Sequence, residues 1–233
     1  MKVPLSWLQD FVDISDITPE VLADKLTNIG FEIEEIIYLG QNIEKVYTGK
    51  IKKIEKHPNA DKLVVCTLDM GSEVLTIVTG ATNVNEGDVV PVATDGAILP
   101  CGKNIKNSVL RGVASQGMLC SGEELCIDDT VIEGAEVDGI LILPPETRLG
   151  LDIKTVLGLD DYVFDISITP NRPDCNSIWG IAREVGAVLG KKVNTPSLKY
   201  EADTSIKNDI KVNILNYDLC PRYMAGRVKD VII

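Results

Sequence analysis

Two short helix-and-strand segments stand at opposite ends of this sequence, with a long glycine-punctuated stretch between them, and neither is large enough to bury a core alone. In the first, Thr18 is placed to cap a helix, Pro19 suits the first helical position and Glu20 lies in the positive first turn. Leu22, Leu26 and Ile29 then share one face, Gly30 supplies a left-handed stop, and Phe31 to Tyr38 reads as a strand. In the second, Tyr162, Phe164, Ile166 and Ile168 alternate with Val163, Asp165, Ser167 and Thr169, the pattern of a half-buried strand. Pro170-Asn171-Arg172-Pro173 breaks that strand, and Asp174 is positioned to cap a helix whose Ile178, Ile181, Val185 and Leu189 share a face before Gly190. The two ends are therefore expected to pack together as one small discontinuous α/β domain, residues 1–39 plus 151–195, interrupted by residues 40–150.

The interrupting stretch has short runs rich in Val, Ile, Leu and Thr at Val46–Ile54, Leu63–Asp69, Val74–Thr79, Val89–Ala93 and Met118–Cys120, separated by glycines. Short strands with glycine turns predict a sandwich or a barrel, and about five of them suit a small closed barrel of the OB type. Periodicity alone does not separate the two. After Lys192 the chain turns polar, then a strand-like Ile210–Leu215 begins something new, and Val231-Ile232-Ile233 ends on an apolar edge without a partner. Residues 196–233 are thus expected to be the start of a further, truncated domain. The predicted class is α+β and multidomain, with a five-stranded OB-type β-barrel inserted in a discontinuous α/β domain.

Charge matters here through its distribution. The chain carries 23 Lys and Arg against 35 Asp and Glu, a formal charge of −12, which repels polyanions at long range if spread evenly. It is not spread evenly. Lys45, Lys50, Lys52, Lys53, Lys56 and Lys62 face only Glu55 and Asp61 in one stretch, and Lys103, Lys106 and Arg111 form a second. Glu123, Glu124, Asp128, Asp129, Glu133, Glu136 and Asp138 follow without a base. The six cysteines, Cys66, Cys101, Cys120, Cys126, Cys175 and Cys220, are scattered and form no Cys-x-x-Cys pair, so they read as reduced thiols and not as zinc ligands. His57 is the sole histidine, which removes most Ser-His and Cys-His schemes. There is no phosphate loop of the Gly-x-x-x-x-Gly-Lys type and no isolable pair of carboxylates, so neither catalytic nor metal residues are assigned. No apolar run approaches the roughly 20 residues of a membrane span and no signal peptide is seen, which predicts a cytoplasmic location.

Four segments, in their order and spacing, carry a family resemblance: His57-Pro58-Asn59-Ala60-Asp61-Lys62-Leu63, Gly80-Ala81-Thr82-Asn83-Val84, Gly96-Ala97-Ile98-Leu99-Pro100, and Leu110 through Ser121. Together they resemble the tRNA-binding domain shared by aminoacyl-tRNA synthetases and free-standing tRNA-binding proteins, an OB-fold that grips tRNA without doing chemistry. Met1 to Leu8 and Phe164 to Cys175 resemble the two halves of the first domain of bacterial phenylalanine–tRNA ligase beta subunits, and Cys220-Pro221-Arg222-Tyr223 resembles the opening of the editing domain that follows in that family.

The resemblance implies an OB-fold contacting tRNA, with His57, Asp61, Lys62, Asn83, Arg111, Ser115 and Met118 carried over from the family pattern. Lys50, Lys52, Lys56 and Lys103 add phosphate-binding charge, and Ser121 adds a hydrogen bond. With about five phosphates neutralised, the log–log salt slope is expected near −3 to −5. Tyr47 is the insert's sole aromatic residue, so base stacking contributes little. Asn171 and Arg172 are expected to brace the interface with following domains. The implied complete enzyme joins phenylalanine to its tRNA using ATP and magnesium, with an alpha subunit in a two-alpha, two-beta assembly; no cofactor is expected in this stretch. The alternatives are a structural spacer without tRNA contact, and a free-standing tRNA-binding protein.

Overall fold

The computed structural model describes residues 1–195, 197, 199, 211–226 and 228. The chain divides into two units, Met1–Asn194 and Thr195–Ile233.

In the first unit, strands from both ends meet in one antiparallel sheet. Strand β1 (Lys2–Pro4) pairs with β10 (Tyr162–Ser167), which pairs with β2 (Glu32–Tyr38), so the C-terminal strand sits in the middle. Helices α1 (Leu5–Gln9), α2 (Pro19–Asn28) and α4 (Ile178–Leu189) accompany it. Val3, Leu8, Leu22, Leu26, Phe164, Ile166, Ile181 and Val185 form its buried core. Neither half supplies that list alone, which is the physical reason the two must associate.

Thr18 caps α2 as expected, accepting from the Val21 N–H, with Pro19 at the first position. Helix α4 differs from expectation at its start. Its cap is Ser177, whose Oγ accepts from the Gly180 N–H at 3.0 Å, while Asp174 lies in a preceding 3₁₀ turn, Pro173–Cys175, where Arg172 engages its carboxylate. A carboxylate held by an arginine beside it leaves the capping position to the next available hydroxyl. Gly190 ends α4 with φ +66°.

Residues between these halves form a curled five-stranded antiparallel sheet of the OB type, in the order β5-β4-β3-β6-β9. Its strands are β3 (Glu44–Lys56), β4 (Val64–Asp69), β5 (Val74–Thr79), β6 (Val89–Ile98) and β9 (Gly117–Leu119). A small hairpin, β7 (Ser108–Leu110) and β8 (Val113–Ser115), precedes β9. The outer edges of the sheet are stitched without a regular ladder. Gln116 N–H donates to Thr76 O at 2.8 Å, Gln116 Oε1 accepts from Thr76 N–H at 2.9 Å, and Ser115 Oγ accepts from Val78 N–H at 3.1 Å.

Inside the curl, Ile51, Cys66, Leu68, Ile77, Val90, Val92 and Leu119 are buried together. On the other face of β6, Val89 and Ala93 pack with Leu125, Leu141 and Leu143 from the long acidic segment. Strand β6 is thus covered on both sides, which explains its unbroken apolar run. Helix α3 (Ile153–Val156) joins this second cluster through Ile153, and Leu159 follows it there. The segment after Leu151, grouped above with the α/β half, therefore has apolar contacts with the barrel.

In the second unit, Asn216 Oδ1 accepts from the Asp218 and Leu219 N–H groups in a local turn. The strand expected at Ile210–Leu215 is not formed over Lys211–Leu215; a strand needs a partner for its backbone groups. Ile210 and Val231 to Ile233 lie outside the described residues.

Candidate nucleic-acid interface

The loop from His57 to Leu63 joins β3 to β4 and turns back on itself, with Leu63 N–H bonded to Ala60 O and His57 N–H to Leu63 O. Beside it lies the tip of the β7–β8 hairpin. Arg111 and Gly112 form its two-residue turn with φ +46° and +92°, the left-handed pair whose twist matches flanking strands. Asn59 Nδ2 donates to Arg111 O at 3.0 Å, and His57 Nε2 lies 3.0 Å from Leu110 O. Lys56, Asp61, Lys62 and Arg111 are all exposed around this corner, and among the described residues Lys56, Lys62 and Arg111 enter no ion pair.

Lys50 and Lys52 lie in the middle of the same strand, β3, six and four residues before Lys56, or about 20 and about 13 Å at strand rise. There Lys52 Nζ is 3.0 Å from Asp69 Oδ2. The backbone N–H of Gly71 and then the Lys52 ammonium hold the Asp69 carboxyl below its ordinary range. Lys103 is bound to Glu124 at 2.7 Å. Burial pushes the Glu124 carboxyl up, but Lys103 and the Ser121 N–H outweigh it and the net shift is downward. Two of the lysines expected to bind phosphate, Lys52 and Lys103, are therefore already ion-paired.

Several residues assigned above to ligand contact have other work. Ser115 is 2% exposed, and its hydroxyl, besides accepting from Val78, donates to Gly117 O at 3.0 Å. It closes the barrel, because an edge without a ladder needs its buried N–H satisfied by a side chain. His57 is buried and both its nitrogens are engaged. Asn83 uses both amide atoms on the backbone of Ile140, donating at 2.8 Å and accepting at 3.0 Å. Ser121 and Glu124 form a reciprocal capping box: Glu124 N–H donates to Ser121 Oγ, and Ser121 N–H to Glu124 Oε2. The Ser-x-x-Glu spacing signals that box in the sequence. Met118 is half-buried and lines a cavity of about 840 Å³ together with Ser121, Glu123, Asp128, Glu136 and Asp138. That acidic rim disfavours a phosphate.

Asn59 and Gln116 are the residues the sequence reading missed. Nothing in a lone Asn within a turn-forming Pro-Asn pair, or in a Gln beside a strand, announces a contact 52 or 40 residues away.

Arg172 is committed within the α/β half. Its guanidinium donates to Asp174 at 3.1 and 2.9 Å and to Glu184 at 2.7 Å, and stacks 5.1 Å from the Phe31 ring centre. These bonds raise Arg172 further and hold Asp174 down at about 2. Burial lifts the Cys175 thiol to about 11. Asp174, Cys175 and Glu184 could by spacing hold a metal, but Arg172 already takes their charge and lone pairs. Arg172 thus forms an internal clasp in the α/β half, with Asn171 exposed beside it. No helix among the described residues is long and apolar enough to cross a membrane.

The family described as "Putative tRNA binding domain" matches residues 46–151. The phenylalanine–tRNA ligase beta subunit of Clostridium tetani is 50% identical over 99% of this chain and 29% of its own length. That of Syntrophus aciditrophicus is 46% identical over 100% of this chain and 28% of its own. The chain therefore spans under a third of the curated relatives it matches. A crystal structure of a MetRS related protein from Pyrococcus horikoshii is 27% identical over 45% of this chain and 84% of that chain, with a TM-score of 0.31.

Proposed function

This chain corresponds over its whole length to the N-terminal portion of the phenylalanine–tRNA ligase beta subunit family, and from that premise we propose that its barrel offers the loop–hairpin corner to tRNA phosphates. The observation that carries this reading is the placing of Lys56, Lys62 and Arg111, exposed and without an acidic partner among the described residues, at the end of β3 and on two loops tied to each other. Phosphate contact fixes position and not base sequence, which suits an auxiliary contact within a larger enzyme. The enzyme in which it acts would join phenylalanine to its tRNA with ATP and magnesium, in the cytoplasm, the chemistry lying outside this chain and an alpha subunit completing a two-alpha, two-beta assembly. Lys52, Lys103 and Asn83 are already engaged and take a smaller part than their sequence positions imply.

The test is tRNA binding by this chain at low salt, with Lys62→Glu and Arg111→Glu compared with Lys52→Glu. Loss of binding in the first two and little change in the third is expected. No salt-sensitive binding by the unaltered chain, or equal losses in all three, would leave the barrel as a spacer.

A further inference from the structure

We infer that His57 and Asn59 are positioning residues: a neutral-histidine latch that holds the Arg111 tip against the Lys62 loop, and that opens when the imidazole takes a second proton.

Ser115 anchors the base of the hairpin to Val78, but Ser108 to Leu110 are exposed, Val109 by 70%, so the tip depends on contacts of its own. A non-glycine residue at φ +46° adds strain at Arg111. Two bonds to backbone carbonyls across more than fifty residues hold the tip: His57 to Leu110 O, and Asn59 Nδ2 to Arg111 O, each 3.0 Å.

Both ends of the imidazole agree on one protonation state. Nδ1 accepts the Asn59 N–H at 3.1 Å, so it carries no proton. Nε2 faces Leu110 O, which only accepts, so it carries one. The buried ring is therefore the neutral Nε2–H tautomer. A second proton would sit on Nδ1, pointing at a backbone N–H, and donor would face donor. The Asn59 backbone must then move, and its side chain leaves Arg111 O. The charged groups on the elements that His57 joins are Lys56, Asp61 and Lys62 on the loop and its flank, and Arg111 on the hairpin.

The purpose of the latch rests on the tRNA reading above, and it has a signature that separates it from a histidine touching phosphate. An imidazolium in contact with RNA strengthens binding as pH falls. The latch weakens it, although the protein becomes more positive overall. Because His57 is the sole histidine, no other imidazole can blur the result.

The experiment measures affinity of this chain for bulk tRNA at fixed low salt from pH 7.5 to 5.5. A fall of about 10-fold, the worth of one phosphate contact at low salt, is expected, and His57→Gln should flatten the profile. At pH 7.5, Asn59→Ala should weaken binding about as much as Arg111→Ala, and the double variant no more than either, since Asn59 acts through Arg111. Nitrogen-15 NMR of the free chain should show the Nε2–H tautomer, with Asn59 amide protection lost on acidification. An affinity gain on acidification, additive losses, or the Nδ1–H tautomer overturns the inference. Absence of tRNA binding at neutral pH removes the role in RNA binding, whereas the NMR readouts judge the latch itself.

Discussion

Replacing Ser115 with alanine separates a residue that closes the barrel from one that meets a ligand. The hydroxyl is the acceptor for Val78 N–H, and both residues are buried, at 2% and 6% exposure. Alanine leaves that N–H without a partner and without access to water, at a cost of about 1–3 kcal/mol. Gln116→Ala is the control, because Thr76 is only half-buried and water replaces the lost Oε1 for roughly 0.5 kcal/mol or less. With a urea slope of about 2–3 kcal/mol/M, Ser115→Ala should lower the midpoint by roughly 0.7 M and the control by under about 0.2 M. Circular dichroism follows the whole chain. Fluorescence follows the α/β half, where both tryptophans, Trp7 and Trp179, reside. The drop should therefore show first in circular dichroism, while tRNA affinity well below the melting point stays unchanged. Equal midpoints for Ser115→Ala and the unaltered chain, or a loss of tRNA affinity at unchanged stability, would refute the closure role.

Three further outcomes are expected. With three cations at the corner that are unpaired among the described residues, the log–log salt slope for tRNA should be about −2 to −3, shallower than the about −3 to −5 that five phosphate contacts imply; Arg111→Ala should flatten it by nearly 1, and Lys103→Ala should leave it unchanged. The Asp174 carboxyl is held at about 2, below the ordinary value near 3.9, so its stabilisation is complete above about pH 4 and is lost as pH falls through about 2. Acid titration of thermal unfolding should show that loss, and Arg172→Ala should abolish it. Alkylation followed by mass spectrometry at pH 8 should label the exposed Cys101 and Cys126 well before Cys175 and Cys120, whose thiols burial lifts to about 11 and about 12.

These expectations differ from the sequence reading where charge is concerned. The stretch from Lys45 to Lys62 reads as basic, but Lys52 and Lys53 extend from a strand where Asp69 and Glu55 answer them. Lys103 and Glu124 are 21 residues apart in sequence and 2.7 Å apart in space. The acidic segment that reads as a separate solvated run packs across β6 through its leucines, and so brings carboxylates to the cavity holding Met118.

Local chemistry alone determined much of the frame. Thr18-Pro19 and Gly190 bound their helices, the alternation around Phe164 makes β10, and the short Val- and Ile-rich runs become strands β3, β4, β5 and β6. Each depends on a residue's own backbone preference or on burial of one face, which a linear pattern records. Tertiary structure alone decided how the edges meet and which cations are free. Ser115 reaches Val78 and Asn59 reaches Arg111 by one hydrogen bond each, and Asn83 reaches Ile140 by two, all between distant segments. Hydrogen bonds and ion pairs act over about 3 Å and carry no periodicity along the chain, so only the folded backbone brings their partners within range.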